Sequence, residues 1–293
     1  AFPTATSKEN QPVKSDGGGS NEALISVNNV THGYPTLREG RKTVLDSFGL
    51  ELYAGDRVAL VGANGAGKST LLRLLTGLES PDDGTVTVLD NDTNETLPEE
   101  LAEETVYIHQ NPEEMFVEET VREDIAYYLE NRDDPNVDER VTDVVKFLDL
   151  EDIADRDGRL LSIGQQRRAS LAIGLATDPT IVLLDEPTGS LDLQSRREVT
   201  QMLSRSETRT ETVVVATHDL QLVAEWADRV IVLGPTGILA DETPQSVFEQ
   251  PELLEQAHLR PPQVVELSGR LGIDSPSLTT AEIVDRLTTQ EGR

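Results

Sequence analysis

The chain of 293 residues is 37% hydrophobic and carries 54 acidic against 25 basic residues, a formal net charge of −29. Such a length and composition support one substantial core with a smaller appendage, and they exclude a tail or a fibre. The absence of cysteine excludes disulfides and thiolate metal sites, no apolar run approaches the roughly 18 residues of a membrane span, and so negative a field repels nucleic-acid backbones.

In chain order, residues 1–22, with "DGGGS" among them, are expected to form a flexible polar arm; they lack the apolar core of a secretory signal. "ALISVNNV", "TVLDSFGLELYAG" and "GTVTVLD" predict a small β layer. "DRVALVG", "TVYIHQ", "TIVLLDE", "ETVVVATHD" and "RVIVLG" are short β-rich apolar runs of the kind that parallel strands buried on both faces require. Helical spacings fall between them, so the fold class is α/β, a parallel-sheet core with an antiparallel β layer. Residues 111–177 predict an inserted helical subdomain, residues 23–243 the whole core domain, and residues 244–293 a helical C-terminal extension broken by prolines.

"GANGAGKS" follows one predicted strand and opens a predicted helix, the setting that a phosphate-binding G-x-x-x-x-G-K-[ST] loop needs. Gly62, Ala63, Asn64, Gly65, Ala66, Gly67, Lys68, Ser69 and Thr70 are its nucleotide-binding candidates. The glycines let backbone N–H groups turn onto phosphate oxygens, and the helix N-terminus adds its dipole. Lys68 is expected to reach the β and γ phosphates and Ser69 to ligate Mg²⁺. The strand "TIVLLDEP" delivers Asp185, suited to the Mg²⁺ shell, and Glu186, suited to the base that polarises water. His218 ends another strand and is placed for the γ-phosphate.

The ordered set "GANGAGKST", Gln110, "LSIGQQRR", "IVLLDEPTGSLD" and "THD" resembles the nucleotide-binding subunit of an ABC transporter, over about residues 24–243. The resemblance implies a P-loop NTPase that hydrolyses ATP with Mg²⁺ as a head-to-tail dimer, the signature loop of one subunit closing over ATP held by the other. It also implies that Ser162, Gly164 and Gln165 face the partner's ATP, with a helix beginning near Gln165. Asp192 would communicate across the interface, Tyr34 stack on adenine, Gln110 sense Mg²⁺ and the lytic water, and His218 hold the γ-phosphate. The family usually has glycine where this chain has Ile163; ordinary dihedrals are expected there, with Gly164 the indispensable glycine.

"QNPEEMFVEETVREDIAYYLEN" and "PELLEQAHLRPPQVVELSGRLG" are similar to segments of energy-coupling factor ATPases and the related cobalt and nickel importers. That similarity implies a peripheral subunit on the cytoplasmic face of the cell membrane. Its partners would be a second ATPase, in a homodimer or heterodimer, a transmembrane coupling subunit and a substrate-capture membrane protein, with no nucleic acid. The cargo would be a metal ion or a vitamin such as biotin. Met115 and Phe116, apolar residues in an acidic segment, are expected to line a groove for a helix of the membrane subunit. Rival readings are a soluble ABC ATPase of DNA repair or translation, which would carry long coiled coils or paired cassettes, and a nucleotide switch without turnover. Finally, 5 Lys against 20 Arg in so acidic a chain resembles proteins of halophiles, whose molar salt shortens the Debye length to about 3 Å.

Overall fold

The computed structural model describes residues 22–36, 40–206, 209–235, 237–273 and 275–291, so the arm expected over 1–22 lies almost wholly outside the described residues. Strands β1 (Ile25–Thr36) and β2 (Gly40–Leu52) form an antiparallel pair. β3 (Arg57–Gly62) leads through the phosphate loop into helix α1 (Lys68–Leu75). β4 (Asp83–Val88) and the short β5 (Asn91–Asp92) complete a four-stranded antiparallel sheet in the order β2-β1-β4-β5.

After α2 (Pro98–Leu101) comes β6 (Thr105–Ile108), then α3 (Val121–Glu130), α4 (Val137–Phe147) and α5 (Ile163–Leu175). β7 (Ile181–Asp185), α6 (Leu193–Ser206), β8 (Thr212–Thr217), α7 (Leu220–Trp226), β9 (Arg229–Leu233) and β10 (Ile238–Glu242) follow. The second sheet has the order β10-β9-β3-β8-β7-β6 and is parallel except for β10, which pairs antiparallel with β9. Nothing in "GILADE" predicts that edge strand, because its hydrophobic alternation is weak.

Successive residues of a strand point to opposite faces, and each face of the parallel sheet carries its own core. Val58 and Leu60 of β3 pack with Phe48 of β2 and Leu71 and Leu75 of α1. Ala59 and Val61 pack with the helices on the other side, including α3 through α7. This double burial explains why the core strands read as continuous apolar runs. The final helices, α8 (Pro244–Phe248), α9 (Pro251–Gln256), α10 (Gln263–Arg270) and α11 (Thr280–Glu291), join the same second core through Val247, Leu254, Val264 and Ile283. Among the described residues no helix is long and apolar enough to cross a membrane.

The expectation for Met115 and Phe116 is overturned. Both are buried, each 5% exposed, and Phe116 presses its ring against Gly158. The buried Asp124 carboxylate turns them inward: its Oδ1 accepts the N–H groups of Val117 at 2.8 Å and Glu118 at 2.9 Å. Val117 is the apolar residue of this segment left outside, 51% exposed.

Candidate nucleotide site

The phosphate loop turns because Gly67, at the N-cap of α1, has φ of 98°, a left-handed backbone that costs an L side chain about 1–2 kcal/mol. A Cβ there would also stand 3.0 Å from Val44. Lys68 folds back under the loop and donates to the carbonyls of Gly62 at 2.8 Å and Ala63 at 3.3 Å. Its amine is 4.0 Å from Glu186. Burial pushes the ammonium pKa down, opposed by the charges of Glu186 and Asp185. Such a buried cation, bonded to two backbone carbonyls and no closer than 4.0 Å to the Glu186 carboxylate, favours an arriving anion.

Tyr34, Asn64, Gly65, Gly67, Lys68, Ser69, Thr70, Gln110, Asp185 and Glu186 line one cleft of about 460 Å³. Gly62, Ala63 and the buried Ala66 stand behind it as the loop's support. The cleft draws on both sheets, with Tyr34, Lys42 and Val44 coming from the antiparallel one. Tyr34 sits in β1 opposite Lys42, with its hydroxyl donating to Glu79 at 2.5 Å and paired with Thr70 at 3.1 Å. His32 meets its ring edge-on, 5.2 Å between centroids.

Asp185 and Glu186 lie at the C-terminal end of β7, where open α/β sheets bind ligands. Asp185 Oδ2 accepts from the Tyr107 hydroxyl at 3.1 Å, while its buried Oδ1 has no hydrogen-bond partner among the described residues. Burial, then the charge of Asp185 and the bond to it, push the Tyr107 phenol well above its usual range. Glu186 holds a φ of 49°, unusual outside glycine and of the kind concentrated at functional sites. Its Oε2 meets the His218 Nδ1 at 2.8 Å and accepts from the Thr217 hydroxyl at 3.2 Å.

Ser162, Gly164, Gln165 and Asp192 are not in this cleft. They form a second cluster at the adjoining N-termini of α5 and α6. The helix α5 begins at Ile163, two residues before the expected start. Ser162 and Gln165 make a reciprocal capping box: Gln165 N–H donates to Ser162 Oγ at 3.4 Å, and Ser162 N–H to Gln165 Oε1 at 3.2 Å. The S-x-x-Q spacing in "SIGQ" carried that signal. Asp192 caps α6 by accepting from Ser195 N–H at 3.0 Å and Ser195 Oγ at 3.1 Å, and those bonds hold its carboxyl below the usual range. A cavity of about 240 Å³, lined by Gln110, Ile163, Arg167, Glu186 and Ser190 among others, lies between the two clusters.

Sequence reasoning missed Arg167, which is 2% exposed and bridges the clusters. From α5 it donates to the carbonyls of His109 at 2.8 Å and Gln110 at 2.6 Å. Burial pushes its pKa down to about 10 against the charges of Asp185 and Glu186. The two adjacent arginines of "QQRR" offered no means of telling the buried one from Arg168.

The model of the ABC transporter family matches residues 45–189. An energy-coupling factor transporter ATP-binding protein, EcfA, of Carboxydothermus hydrogenoformans is 35% identical over 85% of this chain and 93% of its own length. The chain belongs to the ABC transporter ATP-binding family. Among solved ABC structures, CbiO1 of Clostridium perfringens, described as part of the transporter complex CbiONQ, is 25% identical with a TM-score of 0.70, over 85% of this chain and 100% of that one. The ATP-binding cassette MJ0796, solved as a dimer in a post-hydrolysis state with ADP and Pi, is 27% identical with a TM-score of 0.66, over 75% of this chain and 99% of that one. This ABC chain spans about half the length, 46%, of several other curated relatives it matches.

The residues fit the ABC cofactors, ATP and Mg²⁺. Lys68 is a buried cation at the loop that must meet phosphates, and Asp185 offers a buried carboxylate oxygen that none of the described residues satisfies. An oxygen donor set with room for water suits Mg²⁺, which keeps several waters in such sites.

Proposed function

We propose that the chain is the ATP-binding and ATP-hydrolysing subunit of an energy-coupling-factor-type importer. It would work as a peripheral subunit on the cytoplasmic face of the membrane, paired with a second ATPase and docked on a transmembrane coupling subunit. The cargo is a metal ion such as cobalt or nickel, or a vitamin such as biotin, chosen by a separate capture protein. The observation that carries this reading is the near full-length kinship with EcfA, joined to a cleft in which a buried lysine and a strand-end acid pair converge, with His218 bonded to the second of those acids.

In this reading Lys68 and the backbone N–H groups of the loop receive the β and γ phosphates. Ser69, Asp185 and Gln110 hold the metal ion, and Tyr34 packs against adenine. Bound Mg²⁺ supplies neutralisation of phosphate charge. Glu186 orients the attacking water and takes its proton. His218 keeps Glu186 in place through Nδ1 and meets the γ-phosphate. Ser162, Gly164 and Gln165 of one subunit close over the nucleotide of its partner, and Asp192 reports that closure. Their separation from the chain's own cleft supports service to a second subunit. We read the acidic surface as adaptation to molar salt.

The test is to tag the full chain in its host, extract membranes with mild detergent in concentrated KCl, and identify what copurifies by mass spectrometry. Recovery of a polytopic coupling subunit and a small capture protein is expected. Recovery of ribosomal or DNA-associated partners, or of a soluble dimer alone, would remove the importer assignment.

A further inference from the structure

The two oxygens of Asp185 have different surroundings. Oδ2 accepts the Tyr107 hydroxyl at 3.1 Å, and Oδ1 is buried without a hydrogen-bond partner among the described residues. Tyr107 stands on β6, the strand beside β7, and its ring packs on the core beneath the antiparallel sheet. The Arg73 guanidinium on α1 lies near enough for its charge to act on this phenol. Arg73 in turn donates to Glu79 at 3.2 Å, and Glu79 accepts the hydroxyl of Tyr34 at 2.5 Å. Two hydrogen-bonded pairs, Tyr107–Asp185 and Arg73–Glu79, thus stand beside the cleft, the second joined to Tyr34.

We propose that Tyr107 is a positioning residue for Asp185. By occupying Oδ2 it fixes the carboxylate rotamer and leaves Oδ1 as the one oxygen available to the metal shell. A carboxylate free to rotate would present either oxygen and lose orientation entropy on each engagement. One tied by a hydrogen bond presents the same oxygen every time, as partners behind metal ligands do elsewhere. Arg73 supports the device through its charge beside the phenol, from a side chain that Glu79 anchors. Asp185 has apolar neighbours along its strand, Leu183 and Leu184, which supply no such anchor.

The inference rests on the reading of Asp185 as a metal-holding residue, and the experiment separates the two. Affinity for a non-hydrolysable ATP analogue is measured by calorimetry on the full chain, once with Mg²⁺ and once with EDTA, for the natural protein, Tyr107→Phe and Asp185→Asn. Tyr107→Phe keeps the ring and its packing. It is expected to leave affinity in EDTA unchanged and to lower affinity with Mg²⁺ by about tenfold, the usual loss when a partner of a metal ligand is removed. In a double-mutant cycle, Arg73→Met adds little once Tyr107 is Phe, because both act through one hydroxyl. Equal loss with and without Mg²⁺ would mark Tyr107 as a packing residue and overturn the proposal, as would no loss in either condition. If Asp185→Asn alone erases the Mg²⁺ dependence, only the role of Tyr107 falls. If Asp185→Asn leaves that dependence intact, the metal-holding reading falls with it.

Discussion

Gly164 and Ser195 touch so closely that no side chain fits between them: a Cβ on Gly164 would lie 2.8 Å from Ser195 Cβ and nearer still to its hydroxyl. Gly164 therefore serves close helix approach within its own chain, with ordinary helical backbone. Through Ser195, which Asp192 holds at 3.0 and 3.1 Å, the signature helix and the loop ahead of α6 form one rigid corner. Gly164→Ala is expected to cost about 1–3 kcal/mol by overpacking. Adding Ser195→Gly should return much of that loss in a thermal melt. A double variant no more stable than Gly164→Ala would show that the contact does not set the cost.

Arg167 is the second clamp on this corner. Arg167→Met removes both donors from the His109 and Gln110 carbonyls and should lower stability by about 2–4 kcal/mol. It should also lower kcat for ATP more than it raises KM, since the backbone of Gln110 loses its anchor while Lys68 keeps its own. Arg167→Lys, able to serve one carbonyl, should fall between. Steady-state kinetics with a parallel denaturation curve decide the matter.

Glu186→Gln preserves a group that can bond His218 and Thr217 and removes only the base. Phosphate release should fall by about 10²- to 10⁴-fold, while light scattering with ATP shows a persistent dimer. Undiminished release would take the role of base away from Glu186.

Ile163 is the first residue of α5, in helical geometry and 53% exposed. With no left-handed backbone to relieve, Ile163→Gly is expected to leave turnover within about severalfold, because glycine at a helix start costs well under 1 kcal/mol. A large gain in ATPase rate would reveal that the sec-butyl side chain obstructs closure of the dimer.

A net charge of −29 makes the fold sensitive to screening. Lowering KCl from about 1 M to about 0.1 M lengthens the Debye length from about 3 to about 10 Å. The melting temperature should fall in step. A melt insensitive to salt over that range would refute salt adaptation.

Much of the fold is legible in the residues because parallel strands buried on both faces leave uninterrupted apolar runs, and the phosphate loop has a local grammar that packing cannot disguise. The surface between elements is less legible. Met115 and Phe116 look the same in sequence whether they face a partner or their own core; the buried Asp124, three residues into α3, decides it by pulling Val117 and Glu118 over them. Tyr34 precedes a proline and suggests a loop, yet Pro35 sits where β1 runs to its end against Arg41. Arg167 and Tyr107 act across distances of 57 and 78 residues along the chain, and no spacing rule reaches that far.

The walls of the cleft belong to different sheets, with Tyr34 and Lys42 on the antiparallel one, Asp185 on the parallel one, and Lys68 at the start of the helix that follows β3. A ligand long enough to grip both is a tie-rod, while a bare phosphate touches one sheet only. Occupancy by the longer molecule adds a second tie to the core that the two sheets already share, so calorimetry would register a higher transition.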